Sequence, residues 1–190
     1  MKKILFIDNY DSFSQTVIYY LLTNNIKSHI IKNNSNINVE ILENYDGLVI
    51  SPGPGTVYHS GICTDFLKYA LSKNIPVLGI CLGHQVICQY FGSDIIQTSE
   101  PLHGFEIEIK HDNSKLFTKI NPIFKMACYN SLVATTPDNN ELQITAFSTI
   151  KKYIMAVQHK FKPVFGIQFH PESFMSKNGN QIFKNFKDFL

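Results

Sequence analysis

The stretch Pro76-Val77-Leu78-Gly79-Ile80-Cys81-Leu82-Gly83 most narrows what this chain can become. A short, fully apolar run reads as a strand buried on both faces of a parallel sheet. Residues 84–91 then read as a helix, so the chain must turn from strand to helix within two or three residues. The glycines on either side of Cys81 leave room for so tight a bend. Three more runs share the character of the first: residues 3–7, 46–51 and 163–169. A shorter strand is read at 28–32. Helices fall between them. Ser12 and Gln15 read as the N-cap and third position of a capping box, followed by an apolar face of Phe13, Val17, Tyr20 and Leu21. Residues 62–72 carry Ile62, Phe66, Tyr69 and Ala70 on one side. Strand alternating with helix predicts an α/β fold, a doubly wound and mostly parallel central sheet with helices on both faces.

The second half changes pattern. Residues 102–110, 124–129, 142–147 and 153–158 alternate apolar and polar positions, as strands with one wet face do. They are expected to form a small antiparallel, strand-rich insertion. Residues 180–190 read as a terminal helix with a stripe of Ile182, Phe183, Phe186, Phe189 and Leu190, and the asparagine-rich 33–38 as a surface loop. Without repeats or linkers, residues 1–190 are expected to form a single domain.

Composition removes whole classes of function. A net charge of +2, with 17 basic residues that are all lysine, does not suit a dedicated nucleic-acid or membrane-surface binder. No run approaches the roughly 20 apolar residues of a membrane span. The apolar run after Met1 is too short for a secretory leader, so the expected compartment is the cytoplasm. The cysteines at 63, 81, 88 and 128 make neither a disulfide framework nor a C-x-x-C pair, and no metal site is expected.

Three segments carry chemistry, each at the end of a predicted strand. Gly79-Ile80-Cys81-Leu82-Gly83 fits the nucleophile elbow, in which a strained turn pushes a side chain out at the sheet's carboxyl edge. The helix behind it favours a thiolate, and the Leu82 amide faces the place where an oxyanion forms. The plainer alternative is a packing cysteine in a glycine-rich turn. In Gln168-Phe169-His170-Pro171-Glu172, extended geometry sets Glu172 on the same side as His170, where it can hold one ring nitrogen and leave the other for a thiol proton. The alternative is an exposed pair at a strand end. Ser51-Pro52-Gly53-Pro54-Gly55 is rigid enough to aim an amide, that of Gly53, at the same oxyanion. It is otherwise a surface turn, and it lacks the pattern of a phosphate loop.

Together these segments resemble the class I, triad-type glutamine amidotransferases, above all the glutaminase subunits of anthranilate and aminodeoxychorismate synthases. Ile7-Asp8-Asn9-Tyr10-Asp11-Ser12-Phe13 and Tyr129-Asn130-Ser131-Leu132 add to the likeness, which spans nearly the whole chain. The resemblance implies a flavodoxin-like fold and a catalytic triad of Cys81, His170 and Glu172. It further implies an oxyanion hole from the amides of Gly53 and Leu82. L-Glutamine would be bound by Gly53, Pro54, Gly55, Gln85, Ser131 and Leu132. It implies no cofactor in this chain, and a chorismate-binding synthase subunit, itself using Mg2+, as the partner that receives ammonia. That partner is expected to dock near 8–13 and His103-Gly104. Asn130 stands where the family usually has histidine, and Phe105 where it usually has lysine. A stand-alone γ-glutamyl hydrolase and a non-catalytic interaction module are the competing readings.

Overall fold

Every other residue of the central strands points into one of two apolar layers, and this alternation builds the molecule. The computed structural model describes residues 1–138 and 140–190. Among the described residues nine strands form one sheet: β1 (Lys2–Asp8), β2 (Ile26–Lys32), β3 (Gly47–Ile50), β4 (Val77–Ile80), β5 (Ile95–His111), β6 (Ile123–Ala134), β7 (Leu142–Ser148), β8 (Ile154–His159) and β9 (Val164–Ile167). Their order is β2-β1-β3-β4-β9-β8-β7-β5-β6. The first five are parallel, and the rest continue the same sheet antiparallel. The antiparallel strands β5–β8, inserted in sequence between the parallel strands β4 and β9, extend the same sheet.

Ile4, Phe6, Val49, Leu78, Ile80, Phe165 and Ile167 face one side, where they meet Val17 and Leu21 of α1 (Ser14–Thr23) and Ile182, Phe183 and Phe186 of α4 (Asn180–Lys187). Leu5, Ile7, Leu48, Ile50, Val77 and Val164 face the other. There they meet Phe66, Leu67 and Ala70 of α2 (Cys63–Lys73), and Val86 and Ile87 of α3 (Leu82–Tyr90). Each fully buried side chain of this size contributes about 1.5–3 kcal/mol.

Local chemistry departs from the sequence reading in four places. The capping box does not form. α1 starts at Ser14, and Asp11 makes the turn by accepting the Phe13 N–H at 2.8 Å. The Ser14 hydroxyl instead donates to Asp8 at 2.7 Å. The buried residues of α2 are Cys63, Phe66, Leu67, Ala70 and Leu71, whereas Ile62 and Tyr69 pack only partly against the same layer and the Tyr69 hydroxyl donates to Glu43. β5 begins seven residues before the expected strand. Finally, Asn33 is buried, its amide bonded to the Asn9 side chain at 2.9 Å and to the His59 carbonyl at 3.1 Å, so the 33–38 stretch is not wholly a surface loop.

Candidate active site

The carboxyl ends of β1, β3, β4 and β9 converge on one place. Cys81 lies between β4 and α3 with φ 51° and ψ −99°, a conformation rarely adopted by residues with a side chain. Its N–H donates to the Ile167 carbonyl at 2.8 Å and its carbonyl accepts from the Gln85 N–H at 3.0 Å, so the strain is held from both sides. The flanking glycines are obligatory. A Cβ on Gly79 would lie 2.5 Å from the Gly83 backbone, and one on Gly83 would lie 2.4 Å from the Ile50 carbonyl oxygen. Cys81 is 7% exposed, whereas Cys63, Cys88 and Cys128 are fully buried. The unbonded N–H groups of the first turn of α3 lie beside it and favour negative charge.

His170 follows β9, its N–H donating to the Ala127 carbonyl of β6 at 2.9 Å. Its Nδ1 lies 2.7 Å from Glu172 Oε1, and both side chains are buried. Nδ1–H donates to the carboxylate, which leaves the Nε2 lone pair for a proton acceptor's role. The pairing does not arise from extended backbone. Residues 170–173 form a turn, with the Ser173 N–H on the His170 carbonyl at 3.2 Å, and it is this turn that brings Glu172 back to the ring. Phe13 and Tyr129 pack against the imidazole at centroid distances of 5.4 and 5.0 Å. Burial alone would lower the imidazole's pKa. The charge of Cys81 and the Glu172 carboxylate outweigh it and hold His170 well above its ordinary 6.5. Nε2 has no well-aligned hydrogen bond of its own, though the sulfur is near enough for its charge to act on the ring.

The loop after β3 closes the site. Gly53 has its Cα against Asn9 and Leu82, since a Cβ there would lie 2.5 Å from Asn9 Cβ and 2.8 Å from Leu82 Cδ2. The two residues expected to supply oxyanion amides therefore touch.

Residues 5–189 match the glutamine amidotransferase class-I family. The chain belongs to that family. Anthranilate synthase component 2 of Cyanophora paradoxa is 42% identical over 187 residues, covering 96% of this chain and 97% of that protein. Aminodeoxychorismate/anthranilate synthase component 2 of Bacillus subtilis is 35% identical over 185 residues, covering 96% and 94%. Among solved structures, a protein assigned as one of the GMP synthase subunits of Thermoplasma acidophilum superposes with a TM-score of 0.88 at 25% identity, over all of this chain and 94% of that one.

In this amidotransferase the remaining expected residues divide. Gln85 Nε2 donates to the Leu132 carbonyl at 3.0 Å, which joins two of them directly. Ser131 is exposed next to Leu132. Pro54 and Gly55 lie on the exposed outer limb of their loop, with Gly55 at φ 80° against His59.

Two buried residues escaped the sequence reading of the site. Asn9 binds Ser51 through both its backbone N–H (2.8 Å) and its side-chain amide (2.9 Å), and its Oδ1 accepts from Asn33. It thereby locks the ends of β1, β2 and β3 under the Gly53 loop. Gln168 contacts the sulfur itself, Nε2 to Sγ at 3.5 Å. Both stand inside segments that carry the family likeness, and each is a polar residue closing an apolar run, but neither signal alone assigns it a role. Asp8 is buried too, paired with Lys32 at 2.5 Å and bonded to Ser14, so the side chains of Asp8 and Asn9 face inward and are taken up by the turn itself. Among the described residues no three His, Cys, Asp or Glu side chains are grouped to hold a metal ion.

Proposed function

We propose that this amidotransferase is the glutamine-hydrolysing subunit of an anthranilate synthase. The observation that carries the reading is the buried His170–Glu172 pair beside a cysteine on a strained elbow. Cys81 gives its proton to His170 and attacks the side-chain amide carbon of L-glutamine. The oxyanion is met by the amides of Gly53 and Leu82. His170 returns the proton to the departing nitrogen, ammonia leaves, and a γ-glutamyl thioester remains. His170 then deprotonates water, which attacks the thioester and frees glutamate and the thiol. Glu172 orients the imidazole and balances its charge. Gln85 and the 131–132 segment hold the amino-acid end of glutamine, with Gly53, Pro54 and Gly55 along the same pocket. The chain itself takes no cofactor.

Ammonia passes to a chorismate-binding subunit, which uses Mg2+. The names of the relatives from Cyanophora and Bacillus support such a two-component arrangement. The 8–13 turn, with Tyr10 exposed, and the His103-Gly104 region, with Phe105 exposed beside it, form the docking face. The whole chain acts as one domain, in the cytoplasm. Aminodeoxychorismate synthase is the second reading, favoured by the double name of the Bacillus relative. The decisive experiment is to purify the chain with its natural partner and identify the aminated product by mass spectrometry. Anthranilate supports the first reading and aminodeoxychorismate the second. Fast glutamine hydrolysis by the isolated chain, with no partner bound, supports a stand-alone hydrolase and overturns both. In the complex, Cys81→Ser should abolish glutamine-dependent synthesis while ammonia-dependent synthesis persists; retained glutamine use overturns the nucleophile.

A further inference from the structure

We infer that Gln168 stabilises the Cys81 thiolate by donating a side-chain N–H to the sulfur, and that Gln85 fixes the orientation that makes this donation possible. The inference rests on Cys81 being the nucleophile.

One series of hydrogen bonds sets the direction of this donation. The Leu132 carbonyl can only accept, so the Gln85 atom 3.0 Å from it must be the amide nitrogen. That same nitrogen lies 3.2 Å from the Gln168 side chain, whose facing atom must then be the oxygen. The remaining amide nitrogen of Gln168 is left pointing at Cys81 Sγ, 3.5 Å away. The Leu132 carbonyl is itself held by a second donor, Asn130 Nδ2 at 2.9 Å. An acceptor-only anchor thus sets two amide orientations in series, and the last one ends on the reactive atom. Gln168 has no exposure to solvent, and its backbone is pinned through its own N–H to the Met155 carbonyl at 2.9 Å. A neutral thiol is a weak acceptor, whereas a thiolate is a strong one. A buried amide committed to this sulfur is well satisfied only when the proton has left. His170 approaches as a proton acceptor and Gln168 as a fixed donor, so the sulfur has a charge-stabilising neighbour besides the imidazolium. The same Gln85 is the residue proposed to hold glutamine, which ties substrate recognition to the state of the nucleophile.

The test follows alkylation of Cys81 by iodoacetamide in the full-length chain between pH 5 and 10, read by mass spectrometry. Gln168→Met keeps the length and removes the donor. It should raise the midpoint of the alkylation profile and slow alkylation at pH 7 at least tenfold. Gln85→Met should move the midpoint in the same direction by less. A folded Gln168→Met chain with the wild-type profile overturns the inference. A readout without any substitution is the side-chain amide NMR signal of Gln168, which should shift through the Cys81 midpoint and lose that titration once Cys81 is alkylated. Signals that stay still through the midpoint overturn the inference even if the variant fails to fold. Failure of the parent reading looks different: Cys81→Ser would then retain glutamine use in the complex.

Discussion

At the scale of single residues, the four cysteines have the same side chain and opposite prospects. Burial pushes the Cys63 thiol up to about 12, and pushes Cys88 and Cys128 higher still. Cys81 alone sits at a helix start beside an imidazole. A diazoketone analogue of glutamine should therefore label Cys81 and leave the other three unmodified, as peptide mapping would reveal; a label on Cys63, Cys88 or Cys128 contradicts the elbow. His170 offers a second check. Burial opposes its charge, while Cys81 and Glu172 favour it and win, so its folded pKa lies above the unfolded 6.5. The stabilisation from this group is complete below the unfolded value and fades as pH rises through the folded one. Imidazole NMR should place the wild-type midpoint above 6.5 and find it lowered in Glu172→Gln and in Cys81→Ala. An unmoved midpoint in both removes the coupling.

At the scale of elements, the bend between β4 and α3 depends on backbones passing closer than a methyl group permits. Gly83→Ala would set a carbon 2.4 Å from the Ile50 carbonyl oxygen, with no flexible side chain to yield. Urea unfolding should find it destabilised by about 3 kcal/mol or more; a loss under about 0.5 kcal/mol, the range of ordinary surface changes, would mean the bend has slack. The elements most legible in the sequence were those whose signal is local. Buried strands such as β4 appear as unbroken apolar runs, and the glycines announce the turn. The start of β5 was not legible. Gln97, Thr98, Ser99 and Glu100 have no apolar alternation, and they lie where the pairing with β6 breaks register between Gln97 and Leu102. Ser12 lost the cap of α1 because Asp11, one residue earlier, closes the turn first. The site divides the same way. His170 and Glu172 are two residues apart and could be read together. Gln168 and Cys81 are 87 apart, and Asn9 and Ser51 are 42 apart, and only the folded sheet makes them neighbours.

At the scale of the whole molecule, one sheet carries an apolar layer on each face, and a titrating group lies inside the second. His84 of α3 is fully buried against Gly166, and burial lowers its pKa to about 4. A base held neutral in the fold and free to charge when unfolded supports stability above the unfolded value of 6.5. That support is lost as pH falls from 6.5 toward 4, amounting to roughly 3 kcal/mol. Unfolding free energies at pH 7 and pH 4.5 should differ less in His84→Leu than in the wild type; an equal difference would assign the acid sensitivity elsewhere. His170 does not mask this effect, because its own contribution is common to the wild type and His84→Leu. The twisted backbone at Cys81 has its own bearing on the molecule. Glycine there would relax the torsion at once, so an inert chain should be the sturdier one, and the reactive sulfur keeps its perch only because the surrounding sheet and helix outvote a local preference to spring loose.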